Sequence, residues 1–320
     1  MKSAVVERQY PQVTVVVVHH NTPDYLHSSL KRIDAAMDGL NFEIVVVDNG
    51  SVGNGKPGLK PGGNLRMVYN RENRGFAVAA NQGAAFASSP YLLFLNSEVK
   101  LTEGCVSSLV RVLESNPGLA AVAPLGLGLE GTERFPGMKF LNPFNHAAAL
   151  LGLPAKGPLA REWPFRRAPL AEVDWITAST MLTRRQAFRD ACGFDEHYFF
   201  FEEDEDLCWR LRRRGYGVAV FSGVRVFDPG GITTAQVGIW PVAELYRGQK
   251  RFMRRRGGRV AALLYSVNVS VALSLKAVAS WLSPALRWRS GVRMAPGELS
   301  LALRTLWRGE HGAHRYWVGR

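Results

Sequence analysis

The 320-residue sequence predicts an α/β fold, with a twisted, mostly parallel sheet and helices on both faces. Short β-branched runs alternate with helical patterns over the first hundred residues, which is typical of βαβ units. Three of these runs end in polar residues, as expected where the carboxyl ends of strands face a ligand. The length suits one large domain and a smaller addition.

The first half of the chain contains four predicted strands and two predicted helices. Thr22 and Pro23 favour a helix start, and 75–87 is a helix of small residues. The predicted strands lie at 12–21, 42–51, 64–70 and 91–99, and the predicted helices at 22–37 and 75–87.

The second half is less periodic. Residues 126–170 are rich in Gly, Pro and Leu and are interpreted as a long loop that could form a lid. A strand and the start of a helix are expected at 173–188, a helix at 203–214, and a pair of strands at 215–231.

Polar residues are expected along one edge of the sheet. They are His19-His20-Asn21, Asp48-Asn49 and Asn96-Ser97-Glu98, each at the end of a strand. Asn96 and Glu98 are two residues apart and can face the same way, so their oxygens could hold Mg²⁺ or Mn²⁺. The alternative is that each of these polar groups only ends its strand in a turn.

Five carboxylates, Glu202 to Asp206, follow the three aromatic residues Phe199–Phe201. Acidic residues in a first helical turn interact well with the helix dipole, which is a structural explanation for some of them. Apolar neighbours can also desolvate a carboxylate and raise its pKa, which suits a general base.

Six ordered stretches make the chain resemble family 2 glycosyltransferases of the GT-A fold. The resemblance is to the rhamnosyltransferase-like branch of bacterial surface polysaccharide synthesis. The stretches span about residues 13–231 and read VTVVVVHHNTPDYLHSSL, EIVVVDNGS, NRGFAVAANQG, YLLFLNSEV, VDWITASTMLTRRQAF and GFDEHYFFFEEDEDLCWRLRRRGY.

The resemblance implies a nucleotide-sugar site built on the strand ends. Asp48 is expected to contact the donor base, and the NRGF segment is expected to lie under the nucleotide. The implied nucleotide-sugar-binding residues are His20, Asn21, Thr22, Asp48, Asn49, Ser51, Asn73, Gly75, Phe76, Asn81 and Asn96.

The resemblance also implies the catalytic and metal residues. The family's Glu-Asp-x-Asp falls on 203–206, so Asp204 is the expected base and Glu203 the alternative. Glu98 is the implied ligand of Mg²⁺ or Mn²⁺. Asp228 stands where the family has His and is taken as a second ligand. Glu98 and Asp228 both differ from the residues that the family usually has at these positions, and the alternative is that they mark a weakened metal site. One base without a carboxylate nucleophile implies inversion at the anomeric carbon.

The positive charge is concentrated in the tail. The chain has a formal net charge of +13, and residues 237–320 hold 15 Lys and Arg against 3 Asp and Glu. We therefore divide the chain into a catalytic domain, 1–236, and a basic, amphipathic helical region, 237–320. The apolar run 260–275 is short for a membrane span and favours an interfacial or re-entrant helix pair at an anionic membrane surface. Packing on the catalytic domain, or homo-oligomer contact, is the alternative.

The expected function is transfer of a sugar, a deoxyhexose such as rhamnose, from a dTDP- or UDP-sugar to a glycan or lipid-linked acceptor. An inactive sugar-nucleotide or glycan-binding module is the alternative. Nucleic-acid binding is disfavoured because the charge lies beside an apolar run, and a dinucleotide oxidoreductase because HHNTPDY lacks glycines. Three scattered cysteines and no secretory signal favour a cytoplasmic protein, peripheral at the inner face of the cell membrane.

Overall fold

The computed structural model describes residues 10–150, 168–230 and 240–282, together with positions 303, 304 and 307. The first half begins with the predicted alternation of strands and helices. Its elements are β1 (Val13–His19), α1 (Pro23–Leu30), α2 (Ile33–Met37), β2 (Phe42–Asn49), β3 (Leu65–Asn70), α3 (Phe76–Ala85) and β4 (Tyr91–Asn96).

The four predicted strands are confirmed, and the helix predicted at 22–37 is divided in two. The break lies at Lys31 and Arg32, where the amide of Arg32 donates to the carbonyl of Ser29 in a tighter turn. Leu26, Ile33 and Met37 are nevertheless all buried. The apolar period therefore identified the buried face correctly and did not reveal the break.

The remaining elements include two for which no prediction was made, α4 and β5. The elements are α4 (Cys105–Ser115), β5 (Leu119–Leu127), β6 (Glu133–Arg134), β7 (Gly137–Met138), α5 (Pro143–Leu150), β8 (Leu170–Val173), β9 (Trp175–Ile176), β10 (Thr180–Arg184), α6 (Arg185–Asp190), α7 (Glu203–Arg212), β11 (Gly217–Phe227) and α8 (Trp240–Leu282).

The main sheet has the strand order β3-β2-β1-β4-β10-β5-β11-β8, and β6 pairs with β5. Strands β1 to β4 are parallel, and β10 runs antiparallel between β4 and β5. β7 and β9 form a separate two-stranded sheet. In the register of β1, His19 lies opposite Asp48 and Val18 opposite Asn96, so the expected polar edge is formed.

Three interpretations of the second half were wrong. The single strand expected at the start of 173–188 is divided into β9 and β10, which lie in different sheets. The segment 126–170 is not one long loop, since it contains β6, β7 and α5; its residues 151–167 lie outside the described part. The strand pair expected at 215–231 is the single strand β11. Its register against β5 shifts between Phe221 and Arg225, so an irregularity takes up the extra residues where a turn was expected.

The sheet is covered on both faces. One core contains Leu26, Leu109 and Leu113 from α1 and α4. The opposite core contains residues of α3, α6 and α7 together with Phe252 and Tyr265 of α8. The C-terminal helix thus packs against the α/β domain, and it is kinked at Gly258, where φ is 74°.

Candidate active site

A cavity of about 510 Å³ opens beyond the carboxyl ends of the parallel strands. It is bounded by β1, β4, β5 and the loops around them, which is where α/β sheets bind ligands. The residues expected from the sequence that line it are His20, Asn49, Asn73, Phe76, Asn96, Glu98 and Asp228.

Asn49 connects the elements on one side of the cavity. Its Nδ2 donates to Oδ1 of Asn73 at 2.9 Å and to the carbonyl of Gly75 at 3.1 Å. Its Oδ1 accepts from Nδ2 of Asn70 at 2.9 Å and from the amide of Arg74 at 3.1 Å. The side chain therefore holds the end of β2 against the loop that precedes α3.

Gly75 allows α3 to approach the aromatic segment that precedes α7. Its φ is 84°, and a Cβ there would collide with the carbonyl oxygen of Phe199, which accepts from the amide of Phe76 at 2.9 Å. Phe76 and Phe199 both line the cavity. Only glycine combines this conformation with this approach.

Other expected donor-site residues lie behind the cavity wall. Asp48 is buried, and its Oδ1 accepts from the amide of Ser51 at 3.1 Å. The hydroxyl of Ser51 accepts from the amide of Asn21 at 2.9 Å, and the hydroxyls of Thr22 and Ser97 are 3.0 Å apart. These residues shape the loops after β1 and β2 and are not among those that line the cavity.

His20 is the histidine that reaches the cavity. Its Nδ1 lies 3.0 Å from the carbonyl oxygen of Asn49, and burial lowers the pKa of both His19 and His20. Both imidazoles are therefore neutral at pH 7.

Asn81 lies away from the cavity. Its Nδ2 donates to the carbonyl of Phe194 at 2.9 Å and to Oε1 of Glu196 at 3.0 Å, and its Oδ1 accepts from the amide of Phe194 at 3.0 Å. The side chain thus holds the loop after α6 against α3.

Glu98 and Asp228 face the same cavity from the ends of β4 and β11. Glu98 is only 6% exposed. Burial raises the pKa of Glu98, and the neighbouring carboxylate of Asp228 raises it further. A divalent cation would relieve both effects, because it replaces lost hydration and balances two negative charges.

These two carboxylates are hard oxygen donors of the kind that Mg²⁺ and Mn²⁺ bind. Within the described ranges, no group of three His, Cys, Asp or Glu side chains forms a protein-only metal site. Two carboxylates fit an ion that completes its coordination with water and substrate phosphates, which is common for Mg²⁺.

The acidic segment before and in α7 divides into groups with different partners. Glu202 accepts from Nε2 of Gln249 at 3.1 Å, and Glu205 accepts from the amide of Leu141. Asp206 is fully buried and forms an ion pair with Arg210 at 2.7 Å. Oε2 of Glu203 is buried and has no hydrogen-bond partner among the described residues.

Asp204 is tied to the wall of the cavity. Its Oδ2 accepts from the amide of Ala178 at 3.1 Å, and Thr177 and Ser179 on either side of Ala178 line the cavity. Burial raises the pKa of Asp204 to about 7, against the lowering effect of the hydrogen bonds from Ala178 and Glu205. Burial also raises the pKa of Glu203, and the charge of Asp204 adds to that shift.

The backbone before α7 is strained. Phe201 and Glu202 both have a φ of 69°, a left-handed conformation that non-glycine residues adopt rarely. Such strain persists where surrounding contacts hold it. Here Gly248 of α8 packs closely on Glu202, since an added Cβ would lie in tight contact, 3.1 Å from Cγ of Glu202.

Sequence reasoning did not identify two walls of the cavity. One is formed by Thr177, Ser179 and Thr180, and the other by Arg134 to Met138 with Pro124 and Gly126. The run Ser-Thr after β9 was a usable signal, because hydroxyl residues at the end of a strand suit a polar site. Arg134 lies in the segment that was interpreted as a loop.

The chain belongs to Glycosyl transferase family 2. Residues 14–173 match the profile of this family, which confirms the predicted resemblance. The chain is 31% identical over 205 residues to a pre-mycofactocin glycosyltransferase of Mycobacterium tuberculosis, an alignment that covers 63% of this chain and 39% of that relative.

Two rhamnosyltransferases are also similar to the chain. The N-acetylglucosaminyl-diphospho-decaprenol L-rhamnosyltransferase of M. tuberculosis is 26% identical over 219 residues, covering 63% of this chain and 71% of the relative. The rhamnosyltransferase WbbL of Escherichia coli is 25% identical over 226 residues, covering 63% and 78%.

A solved structure confirms the predicted GT-A fold. A mannosyltransferase from Pyrobaculum calidifontis, in complex with GDP-Man and Mn²⁺, aligns over 95% of this chain and 89% of its own with a TM-score of 0.54 and 15% identity. At that identity the likeness concerns the fold.

Proposed function

We propose that the protein transfers a sugar from a nucleotide-sugar to an acceptor hydroxyl with inversion at the anomeric carbon. One observation carries the proposal: two carboxylates, Glu98 and Asp228, face the cavity at whose wall Asp204 is held with a pKa of about 7. A base with a pKa near the working pH is what general-base catalysis requires.

The reaction exchanges one bond to the anomeric carbon for another. The acceptor oxygen forms a bond to the anomeric carbon while the bond from that carbon to the diphosphate oxygen breaks. The electron pair of the broken bond leaves on the diphosphate, and the hydroxyl proton moves to the carboxylate of Asp204. Glu203 is the alternative proton acceptor, because its buried Oε2 has no described partner.

Glu98 and Asp228 are the residues that would hold Mg²⁺ or Mn²⁺. Such an ion offsets negative charge on a leaving diphosphate. Asn49, Asn73 and Phe76 form the wall on which the nucleotide would lie. The neutral ring of His20 lies beside them, and its two nitrogens contact the carbonyl of Asn49 and Nδ2 of Asn21.

The donor is proposed to be a dTDP- or UDP-deoxyhexose such as a rhamnose donor, and the acceptor a lipid-linked or polysaccharide glycan. Two relatives named as rhamnosyltransferases support this choice, one of which carries a decaprenol-linked substrate in its name. The proposed location is the cytoplasmic face of the cell membrane.

The surface of α8 supports the membrane part of the proposal. An apolar stripe, defined as Val260, Leu263, Leu264, Val267, Val271, Leu275 and Val278, is 43–69% exposed. These positions recur every three or four residues and so share one helix face. The opposite face, with Tyr265 and Val269, is buried against the domain.

The stripe favours a helix that lies in the membrane interface. Among the described helices, Ala243–Leu275 is the one long enough to cross a membrane, and its most apolar 18-residue window has a mean hydropathy of 1.4; core helices also meet that criterion. Because one face already packs on the domain, only the stripe is left for lipid. Exposed Arg254 and Arg259 beside it would bind anionic headgroups.

The experiment that tests the transferase proposal is a thermal-shift panel of UDP-, dTDP- and GDP-sugars with and without Mn²⁺. A donor that binds should raise the melting temperature as its concentration rises. Asp204→Asn should keep that shift and lose transfer of labelled sugar by about 10²- to 10⁴-fold. Donor binding without transfer in the wild-type protein would support the inactive binding module, and full transfer by the variant would refute Asp204 as the base.

A further inference from the structure

Arg134 is the permanent cation of the cavity. Among the described residues that line it, the basic side chains are His20 and Arg134, and burial keeps His20 neutral at pH 7. A nucleotide-sugar brings a diphosphate into a space that already holds Glu98 and Asp228. Its negative charge needs a counter-charge from the protein, and arginine is the side chain that suits phosphate oxygens best.

The guanidinium is held through one nitrogen. Nη1 donates to the carbonyl of Pro229 at 2.9 Å and to that of Asp228 at 3.4 Å. Within the described part of the chain, Nε and Nη2 have no hydrogen-bond partner, and no carboxylate forms an ion pair with this guanidinium. Arg134 is thus oriented by β11 and keeps donors for a ligand.

Two glycines make space for this side chain. A Cβ at Gly230 would lie 2.6 Å from Cζ of Arg134, and one at Gly128 would lie 3.2 Å from its Cδ. Gly230 itself lines the cavity. A side chain added at Gly230 would therefore force the guanidinium to move.

Arg225 lies on β11, which like β6 pairs with β5, and it is an arginine of this region with an ordinary surface partner. Its Nη2 pairs with Oε1 of Glu133 at 3.2 Å, both side chains are half exposed, and neither residue lines the cavity. Arg225 is thus a surface arginine paired with a surface carboxylate. Arg134, one residue after Glu133, instead places its guanidinium at the cavity.

We infer that Arg134 binds the diphosphate of the donor and stabilises the nucleoside diphosphate as it leaves. The inference rests on the proposed function and names Arg134 as the residue that supplies a positive charge to the diphosphate. Its charge would complement the metal pair at the position where Asp228 replaces a family histidine, since Asp228 cannot itself donate to phosphate when ionised.

The first test compares Arg134→Ala with Arg225→Ala by titration with UDP, dTDP and the corresponding monophosphates, with and without Mn²⁺. Arg134→Ala should weaken diphosphate binding about tenfold or more and leave monophosphate binding unchanged. Its kcat should fall about a hundredfold, as for other lost donors to a developing charge. Arg225→Ala should behave as the wild type in both assays.

The second test keeps Arg134 and fills the space that its guanidinium occupies. Gly230→Ala should displace the guanidinium and give the same selective loss of diphosphate affinity. Gly63→Ala is the matched control, because Gly63 has a φ of 58° against 59° for Gly230 and nothing within 4 Å of an added Cβ. Melting temperatures of all four variants show whether each is folded.

The outcomes separate the two proposals. If the wild-type protein binds no nucleoside diphosphate, the proposed function itself fails. If it binds one and Arg134→Ala binds it equally well, or loses monophosphate in proportion, Arg134 does not contact the diphosphate and the inference is overturned.

Discussion

Asp204 combines partial burial with a hydrogen bond to the cavity wall, and its protonation should control the reaction. Because its pKa is raised to about 7, the carboxylate is ionised only above that pH. We predict that kcat/KM for sugar transfer falls about tenfold for each pH unit below 7 and levels off above it. A pH profile whose midpoint lies near 4 would contradict this assignment.

The same shift has a consequence for stability. The folded state holds the Asp204 proton more tightly than the unfolded chain, so its contribution to the free energy of unfolding decreases as pH rises from about 4 to 7. Asp204→Asn removes the buried charge, and we predict that it raises the unfolding free energy at pH 8 more than at pH 5. Urea unfolding at the two pH values measures the difference, and equal changes would refute it.

Glu98 and Asp228 are neighbouring carboxylates whose charges affect each other. Burial raises the pKa of Glu98, and the nearby charge of Asp228 raises it further. Removal of one of the two charges should therefore reduce the repulsion on the other and should also reduce cation affinity. We predict that Glu98→Gln or Asp228→Asn removes the increase in melting temperature produced by Mn²⁺ and nucleoside diphosphate. Glu133→Gln, an exposed carboxylate outside the cavity, is the control and should keep that increase.

The approach of α3 to the segment before α7 is the contact between elements that forms the nucleotide wall. We predict that Gly75→Ala destabilises the fold by about 1–3 kcal/mol more than Gly39→Ala, because it adds a collision with the carbonyl of Phe199. Gly39 has the same φ of 84° and open space around an added Cβ. Denaturant unfolding measures both, and equal losses would show that α3 can move away without cost.

Helix α8 is connected to the strained start of α7 through several contacts. Gln249 donates to Glu202 and accepts from the hydroxyl of Tyr265 at 2.7 Å. Arg255 pairs with Asp195 at 2.6 Å and with Asp206 at 3.3 Å. The helix that carries the apolar stripe therefore also supports the acidic cluster from behind.

For the whole molecule, the apolar stripe and the adjacent arginines predict association with anionic membranes. We expect the protein to co-sediment with vesicles that contain anionic lipid, and Leu263→Glu with Val267→Glu to reduce the bound fraction at least about tenfold. Tyr69→Glu, at a 60% exposed position on β3, is the control. If the wild-type protein forms dimers and does not bind vesicles, the stripe is instead a contact surface for a second copy of the chain.

The sequence by itself determined the alternation of β1 to β4 with α1 to α3 and the polar edge at the strand ends. These features depend on local apolar periods and on residues that end strands, which are legible without tertiary contacts. The family motifs also placed Asn49, Asn73, Glu98 and Asp228 at one cavity, because each lies at an element end whose direction the parallel sheet imposes.

Only the tertiary structure decided how the five carboxylates differ. Their partners come from distant segments: Leu141 for Glu205, Ala178 for Asp204 and Gln249 for Glu202. It also decided that Arg134 enters the cavity and that α8 packs on the domain along one face. Burial and hydrogen bonding determine the pKa of a side chain and whether it is available to a ligand. Both arise from contacts between residues far apart in the chain, so no local sequence pattern predicts them.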